Sequence, residues 1–266
     1  MDAKGQIFCH ITTFYRFARA IDDIADNPEL EPEDKVTRLD GFAAALEGGR
    51  DVGGAFEIGL RMRASLEETD IPNRHCLDLI DAFKQDAVKN RYDDWPDLME
   101  YCSRSASPVG RYLIDLHGGS DNGYGPSDAL CNALQVINHL QDCKDDFLTL
   151  NRVYLPGDWM GEEGMGVVEL AGEQSSPQVR KVLNRTLSAT EDLMGEARSL
   201  PVGVRCWRLA MESAAILNIA ERLIARLRIE DPLATRVALT KPGYAWQCIR
   251  GVIPIALGVL LQRRPI

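Results

Sequence analysis

The sequence contains no CxxC pair. Its seven cysteines (Cys9, Cys76, Cys102, Cys131, Cys143, Cys206 and Cys248) are odd in number and dispersed. That argues against a disulfide framework and for reduced thiols in a cytoplasmic protein. Positive charge is also scarce. A net charge of −10 and a pI near 5.0 exclude the broad basic surface that nucleic-acid contact requires, although a metal ion can reverse the local field for an anionic ligand. No HxxxH or Cys/His cluster suggests zinc, and no GxGxxG follows a strand, so a dinucleotide fold has no support. No charged n-region followed by an apolar h-region opens the chain. The longest late apolar run, 252–261, is interrupted by Pro254 and Gly258 and is about half the ~20 residues that span a bilayer. A buried terminal helix is the expectation there, with a surface leaning on a membrane as the alternative. Strand alternation, a fixed-period repeat and a low-complexity linker are likewise missing.

What remains is helical. A hydrophobic content of 45% with 26% charged residues over 266 positions can build a sizeable core. Phe14, Phe17, Ala18, Ile21 and Ile24 or Ala25 form one apolar face of a first helix, which Asn27-Pro28 ends. Further helices are expected near 33–46, 54–68, 74–90, 95–117 (kinked at Pro108), 127–147, 177–199, 203–228 and 233–262. Trp207, Met211, Ala214, Leu217 and Leu223 share a face of the penultimate one. Residues 118–126 read as turns, and Pro156-Gly157 as a loop. One all-α domain over 1–266 is the economical reading. Trp95, Trp207 and Trp246 are expected to pack, and the lone His117 and His139 to be satisfied core or surface residues.

Two helices carry residues unsuited to a solvated face. In Arg19-x-x-Asp22-Asp23-x-x-Asp26 the three- and four-residue steps place the side chains on one side, a line that extends back through Arg16 and Thr12. Aspartate is a poor helix former because its short side chain competes for nearby backbone groups, and like charges at these spacings repel. In Asn138-His139-Leu140-Gln141-Asp142-Cys143-Lys144-Asp145-Asp146, residues 138, 142 and 146 step by four. Gln141 and Asp145 flank them on a helix otherwise built of Leu130, Ala133, Leu134, Val136, Ile137 and Leu140. One DDxxD can be a chance surface feature, with Asp22 or Asp23 simply paired to Arg19. Two acid stripes on apolar helices call for compensating cations, and Mg²⁺ favours carboxylate, water and phosphate oxygens.

With Tyr15-Arg16-Phe17-Ala18-Arg19 leading into Asp22-Asp23-Ile24-Ala25-Asp26, the chain resembles the squalene/phytoene synthase family. The likeness continues through Tyr101-Cys102-Ser103-Arg104-Ser105-Ala106-Ser107-Pro108-Val109-Gly110-Arg111. It is completed by the stripe at 138–146 followed by Arg152-Val153-Tyr154-Leu155-Pro156. Asn138-His139, Lys89-Asn90-Arg91-Tyr92 with Asp94-Trp95, and Thr240-Lys241-Pro242 are similar to the subgroup of bacterial hydroxysqualene synthases in hopanoid synthesis. Ser107 stands where relatives often have glycine.

The resemblance implies an isoprenoid-synthase-like helical bundle with a central cavity. Its implied substrate is presqualene diphosphate or farnesyl diphosphate, its cofactor Mg²⁺ or alternatively Mn²⁺. Asp22, Asp26, Asp142 and Asp146 would hold metal, with Asp23 and Asp145 as outer neighbours. Tyr15, Arg19, Asn138, Gln141, Arg152 and Tyr154 would bind substrate, and Tyr101 and Arg19 would be catalytic. Gly110 would permit close helix approach. Peripheral membrane contact and association with other hopanoid-pathway enzymes stay open, as do two other readings: a head-to-head prenyltransferase making presqualene diphosphate, squalene or phytoene, and a non-catalytic relative. The family has a helix upstream of the first acid motif, and residues 1–9 do not resemble it. The expectation is therefore that this helix is missing, which puts activity, as distinct from fold, in question.

Overall fold

The computed structural model describes residues 3–49 and 54–262. Among them the chain is helical throughout, with two isolated β-bridges and no strand. Phe14, Phe17, Ile21 and Ala25 are all buried. Their three- and four-residue spacing winds Ala3–Ala25 into an amphipathic helix, α1. Residue 27 precedes a proline, which disfavours the helical region and stops the helix. α2 (Pro32–Glu47), α3 (Glu57–Thr69) and α4 (Arg74–Val88) pack with α1 around Phe17, Leu39, Phe42, Met62 and Leu79.

The expected helix over 95–117 is instead two, α5 (Trp95–Ser105) and α6 (Ser107–Leu116), broken at Ala106. Pro108 cannot donate to the turn before it, so the break falls ahead of the proline rather than bending around it. Asp94 accepts the Asp97 amide at 2.8 Å and caps α5. α7 (Gly125–Leu150) is the long central helix, about 39 Å at 1.5 Å per residue. It crosses α6 at Gly110, where a Cβ would lie 2.3 Å from Ser127 Oγ and 2.7 Å from Cys131 Sγ. The expected close approach is therefore real. Ser107 is buried and donates to Asn132 at 2.9 Å, tying α6 to α7.

After α7 come a short helix absent from the sequence reading, α8 (Gly157–Glu162), a 3-10 turn at Val167–Ala171, and then α9 (Pro177–Ala197) and α10 (Leu200–Gly203). α11 (Trp207–Leu227) begins four residues after the expected 203. The last helix, α12 (Lys241–Gln262), begins eight residues after the expected 233. α7, α9 and α11 share the second core, around Leu140, Leu183 and Leu223, and Leu113 of α6 touches both cores.

The reading of α12 as a buried helix is corrected. Gln247 and Gly251 face α11, where a Cβ on Gly251 would sit 2.4 Å from the Ala214 carbonyl oxygen. Trp246, Ile249, Ile253 and Leu257 nevertheless stay exposed. Of the three tryptophans expected to pack, only Trp95 does, stacked on Trp159 at 5.5 Å, whereas Trp207 and Trp246 are exposed. No described helix is long and apolar enough to cross a membrane.

Candidate active site

α7 ends where Asn151 adopts φ 52°, the left-handed conformation that closes a helix C-terminus. The Arg152 amide then returns to the Asp146 carbonyl at 3.1 Å, and the chain runs alongside 90–93 through Val153 N to Asn90 O and Gly157 N to Tyr92 O. This turn aims the buried Arg152 side chain at the end of α1. Its guanidinium pairs with Asp26 at 2.5 Å and donates to the Ala25 carbonyl at 3.0 Å. Lys35 donates to the same carbonyl at 2.9 Å. Two cations thus sit at the negative end of the α1 dipole, and the loop after α7 is fastened to the first acid motif.

Around that fastening lies a cavity of about 110 Å³ lined by Asp22 and Asp26 of α1, Phe83 and Asp86 of α4, Tyr101 of α5, Gln135, Asn138, His139, Asp146 and Leu150 of α7, and Arg152 and Tyr154. The structure therefore brings together seven of the expected residues: Asp22, Asp26, Tyr101, Asn138, Asp146, Arg152 and Tyr154. A second, almost wholly apolar cavity of about 150 Å³ lies farther back along α7. Val109, Leu113, Leu130, Leu134, Leu209 and Ile216 are among its walls. The expected central cavity thus appears as a polar chamber and an apolar slot along one helix.

Other expected residues stand elsewhere. Tyr15 is 66% exposed and does not line the cavity. Arg19 is exposed and ion-paired with Asp22 at 3.0 Å and Asp23 at 2.9 Å. Gln141 donates instead to the Val237 carbonyl, and Asp142 pairs with Arg236 at 2.8 Å. Both residues are covered by the segment before α12. Asp145 is exposed and borders a separate surface depression with Gln141, Lys144 and Arg236. The physical reason is common to Arg19 and Arg236: an unscreened carboxylate takes the nearest arginine.

The acids that do converge are poorly compensated. Burial, then repulsion from Asp26, raises the Asp22 carboxyl to about 6 despite Arg19. Burial, then repulsion from Asp142, raises Asp146 to about 7 despite Arg152. Asp142 is also raised, by burial, against the pull of Arg236. Arg152 is held more firmly protonated than usual: burial opposes its charge, but Tyr154, Asp86 and Asp26 outweigh it.

Two residues to which the sequence assigned no functional role, Asp86 and His139, complete the chamber. Asp86 is 5% exposed and accepts the Tyr101 hydroxyl at 2.7 Å and the Tyr154 hydroxyl at 3.3 Å. Burial raises its carboxyl to about 6, against Arg152 and the two phenols. With both hydroxyl protons directed at Asp86, the phenol oxygens keep lone pairs for other neighbours. His139, expected to be satisfied, is not. It stacks on Tyr154 at 3.6 Å between ring centres, and its Nε2 has no hydrogen-bond partner among the described residues. Both carried a readable signal. Asp86 follows Leu79, Ala82 and Phe83 on the buried face of α4, and His139 sits among Val136, Leu140 and Cys143 on that of α7.

Among the described residues no three acid, imidazole or thiol groups close on one point as a ready-made metal cage. Asp22, Asp26 and Asp146 nonetheless fit a divalent ion of the magnesium kind. Such ions keep several waters and are held through one or two carboxylates plus substrate phosphates, and the raised carboxyls of Asp22 and Asp146 are those a cation would discharge.

The squalene/phytoene synthase family model matches residues 9–242. The hydroxysqualene synthase of Sinorhizobium fredii is 41% identical over 230 residues, covering 86% of this chain and 78% of the relative. That of Rhodopseudomonas palustris is 42% identical over 229 residues, covering 86% and 77%. Among solved structures, squalene synthase HpnC from Alicyclobacillus acidocaldarius superposes with a TM-score of 0.72 at 30% identity, over 84% of this chain and 83% of that one.

Proposed function

Because this chain belongs to the squalene/phytoene synthase family, we propose that it converts presqualene diphosphate and water to hydroxysqualene and diphosphate. The observation that carries the reading is the convergence of Asp22, Asp26 and Asp146 with Arg152 on one chamber beside an apolar slot. The Sinorhizobium and Rhodopseudomonas relatives, which bear the name of that activity, support it.

Ionisation breaks the carbon–oxygen bond to the diphosphate, and both electrons leave with the phosphate oxygen. Arg152, buried and permanently charged, has its fork on Asp26 and the Ala25 carbonyl and favours the leaving group through its charge. Asn138 stands exposed on the chamber wall with an amide suited to a phosphate oxygen. Asp22, Asp26 and Asp146 would hold a Mg²⁺ ion, which would supply Lewis-acid neutralisation of the leaving charge. Tyr101 and Tyr154 also line the chamber, and Asp86 fixes their hydroxyls, so that phenol oxygen lone pairs would be available to the developing cation. The slot between α6, α7 and α11 keeps bulk water from the hydrocarbon. A water oxygen then forms the new carbon–oxygen bond and releases one proton.

The test is mass analysis of products from presqualene diphosphate with and without Mg²⁺. Hydroxysqualene formed only with the metal is the expected result. Consumption of farnesyl diphosphate alone would instead make the chain a head-to-head prenyltransferase, and consumption of neither substrate would make it a non-catalytic relative.

A further inference from the structure

Resting on the water-capture reading above, we infer that His139 holds the reacting water and receives its proton. Its position on α7 is one a hydrocarbon would fill at no cost, flanked by Val136, Leu140 and Cys143. An imidazole is there instead, 6% exposed, bordering the chamber and clamped face to face on Tyr154 at 3.6 Å. Its Nε2 is left without a partner among the described residues. Buried polar atoms are nearly always satisfied, by ordered water where protein does not serve. A water bound by this ring would lie beside Tyr101 and Tyr154, the aromatic side of the chamber.

The other polar groups of the chamber are committed. Asp86 is occupied by two phenols, whose protons are thereby spent. Arg152 is bound to Asp26, and Asp22, Asp26 and Asp146 serve the diphosphate side. Gln135, one turn earlier on α7, also lines the chamber and can steady the same water, but an amide carries no basic nitrogen.

Burial, reinforced by Arg152, pushes the His139 ring down to about 3. At neutral pH it is therefore uncharged, offers a lone pair to a water hydrogen and does not repel the carbocation as an imidazolium would. A weak base suffices. Once the water oxygen bonds to carbon, the resulting alkyl oxonium is a stronger acid than this imidazolium. The oxonium passes one proton to the ring nitrogen, the electrons of that O–H bond stay on oxygen as the alcohol, and the ring hands the proton on to the departed diphosphate.

The experiment is turnover of presqualene diphosphate with Mg²⁺ in ¹⁸O-labelled water by the wild-type chain, His139→Leu and His139→Gln. It reads the ratio of labelled alcohol to hydrocarbon formed by proton loss from the same cation. Wild type should give mainly labelled alcohol. His139→Leu should lower the ratio about tenfold or more, the worth of one fixed hydrogen bond to an ordered water. His139→Gln, which keeps a hydrogen-bonding group, should fall between. Because the ratio compares two fates of one intermediate, partial misfolding lowers yield but leaves the ratio unaffected. A wild-type ratio in His139→Leu overturns the role of His139 alone. Should that variant yield no product, a wild-type ratio in His139→Gln overturns it and a reduced one upholds it. A wild-type chain that leaves presqualene diphosphate untouched overturns the parent reading and this inference together.

Discussion

At the scale of single residues, the chamber keeps its carboxylates short of cations. Asp146 shows it most clearly: its carboxyl is raised to about 7 by burial and by Asp142. A carboxyl whose folded value lies above its unfolded value binds its proton more tightly in the folded state. Stability is therefore lost as pH rises from about 4 through 7. Asp146→Asn removes that loss. In metal-free protein its midpoint of thermal unfolding should exceed wild type by a few °C at pH 7.5, and the difference should shrink toward pH 5. Turnover should nevertheless fall by about a hundredfold or more, because a cation anchor worth several kcal/mol in the transition state is gone. Scanning calorimetry at the two pH values, with a diphosphate-release assay, checks both halves. Asp86→Asn makes a separate prediction. Tyr101 and Tyr154 bond different oxygens of Asp86, and asparagine puts an NH₂ group in place of one of them, so the phenol facing that group must turn its proton away. A drop in kcat of about tenfold or more with little change in KM is expected, as for an interaction that matters only in the transition state.

The acid stripes at 22–26 and 138–146 were legible because short acids on apolar helices are expensive. Asp86 and His139 carried the same signal more faintly, Asp86 because it shares the buried face of α4 with His75 and Asp78, and His139 as one imidazole among apolar neighbours. The pairing of Asp142 with Arg236 was not legible: it joins residues 94 positions apart and depends on where the segment before α12 folds back.

At the scale of elements, the long helices followed from periodicity, the short α8 and α10 did not, and the remaining errors lie at ends and joints. Residues 233–240 looked helical but run as the cover over Gln141 and Asp142, held by the Val237 carbonyl and Arg236. Tertiary pairing there overrides local preference. The break between α5 and α6 lets α6 lie against α7 through Gly110. Gly110→Val would drive a side chain into Ser127 and Cys131, and overpacking of this kind costs roughly 1–3 kcal/mol. Urea unfolding should show a lower midpoint with an unchanged slope. The turn at Asn151 has a different role. Asn151→Ala gives up a residue suited to φ 52° and the hydrogen bond that Arg91 donates to the Asn151 side chain, while the bond to the backbone carbonyl can stay. A loss of roughly 1–2 kcal/mol follows from the left-handed conformation. A larger proportional loss of turnover is expected, because Arg152 is aimed by that turn.

At the scale of the whole molecule, the helices are walls that bring Asp22 and Asp26 of α1 and Asp146 of α7 to one chamber, where, on the proposed function, a cation-laden ligand joins them. The net charge of −10 raises the local concentration of divalent ions, and its effect should fade as ionic strength rises. Neither Mg²⁺ nor pyrophosphate alone answers the chamber: the ion lacks a closed set of ligands among the described residues, and the anion meets four acids. Together they fit. A ligand that binds only the folded state raises its stability according to concentration and affinity. The most direct measurement is calorimetric titration of pyrophosphate into the wild-type chain and into Asp22→Asn/Asp146→Asn, each with and without Mg²⁺. Saturable binding that needs Mg²⁺ in the wild-type chain and disappears in the double variant is the predicted result. Pyrophosphate binding of equal strength without the metal, or undiminished in the double variant, would contradict it.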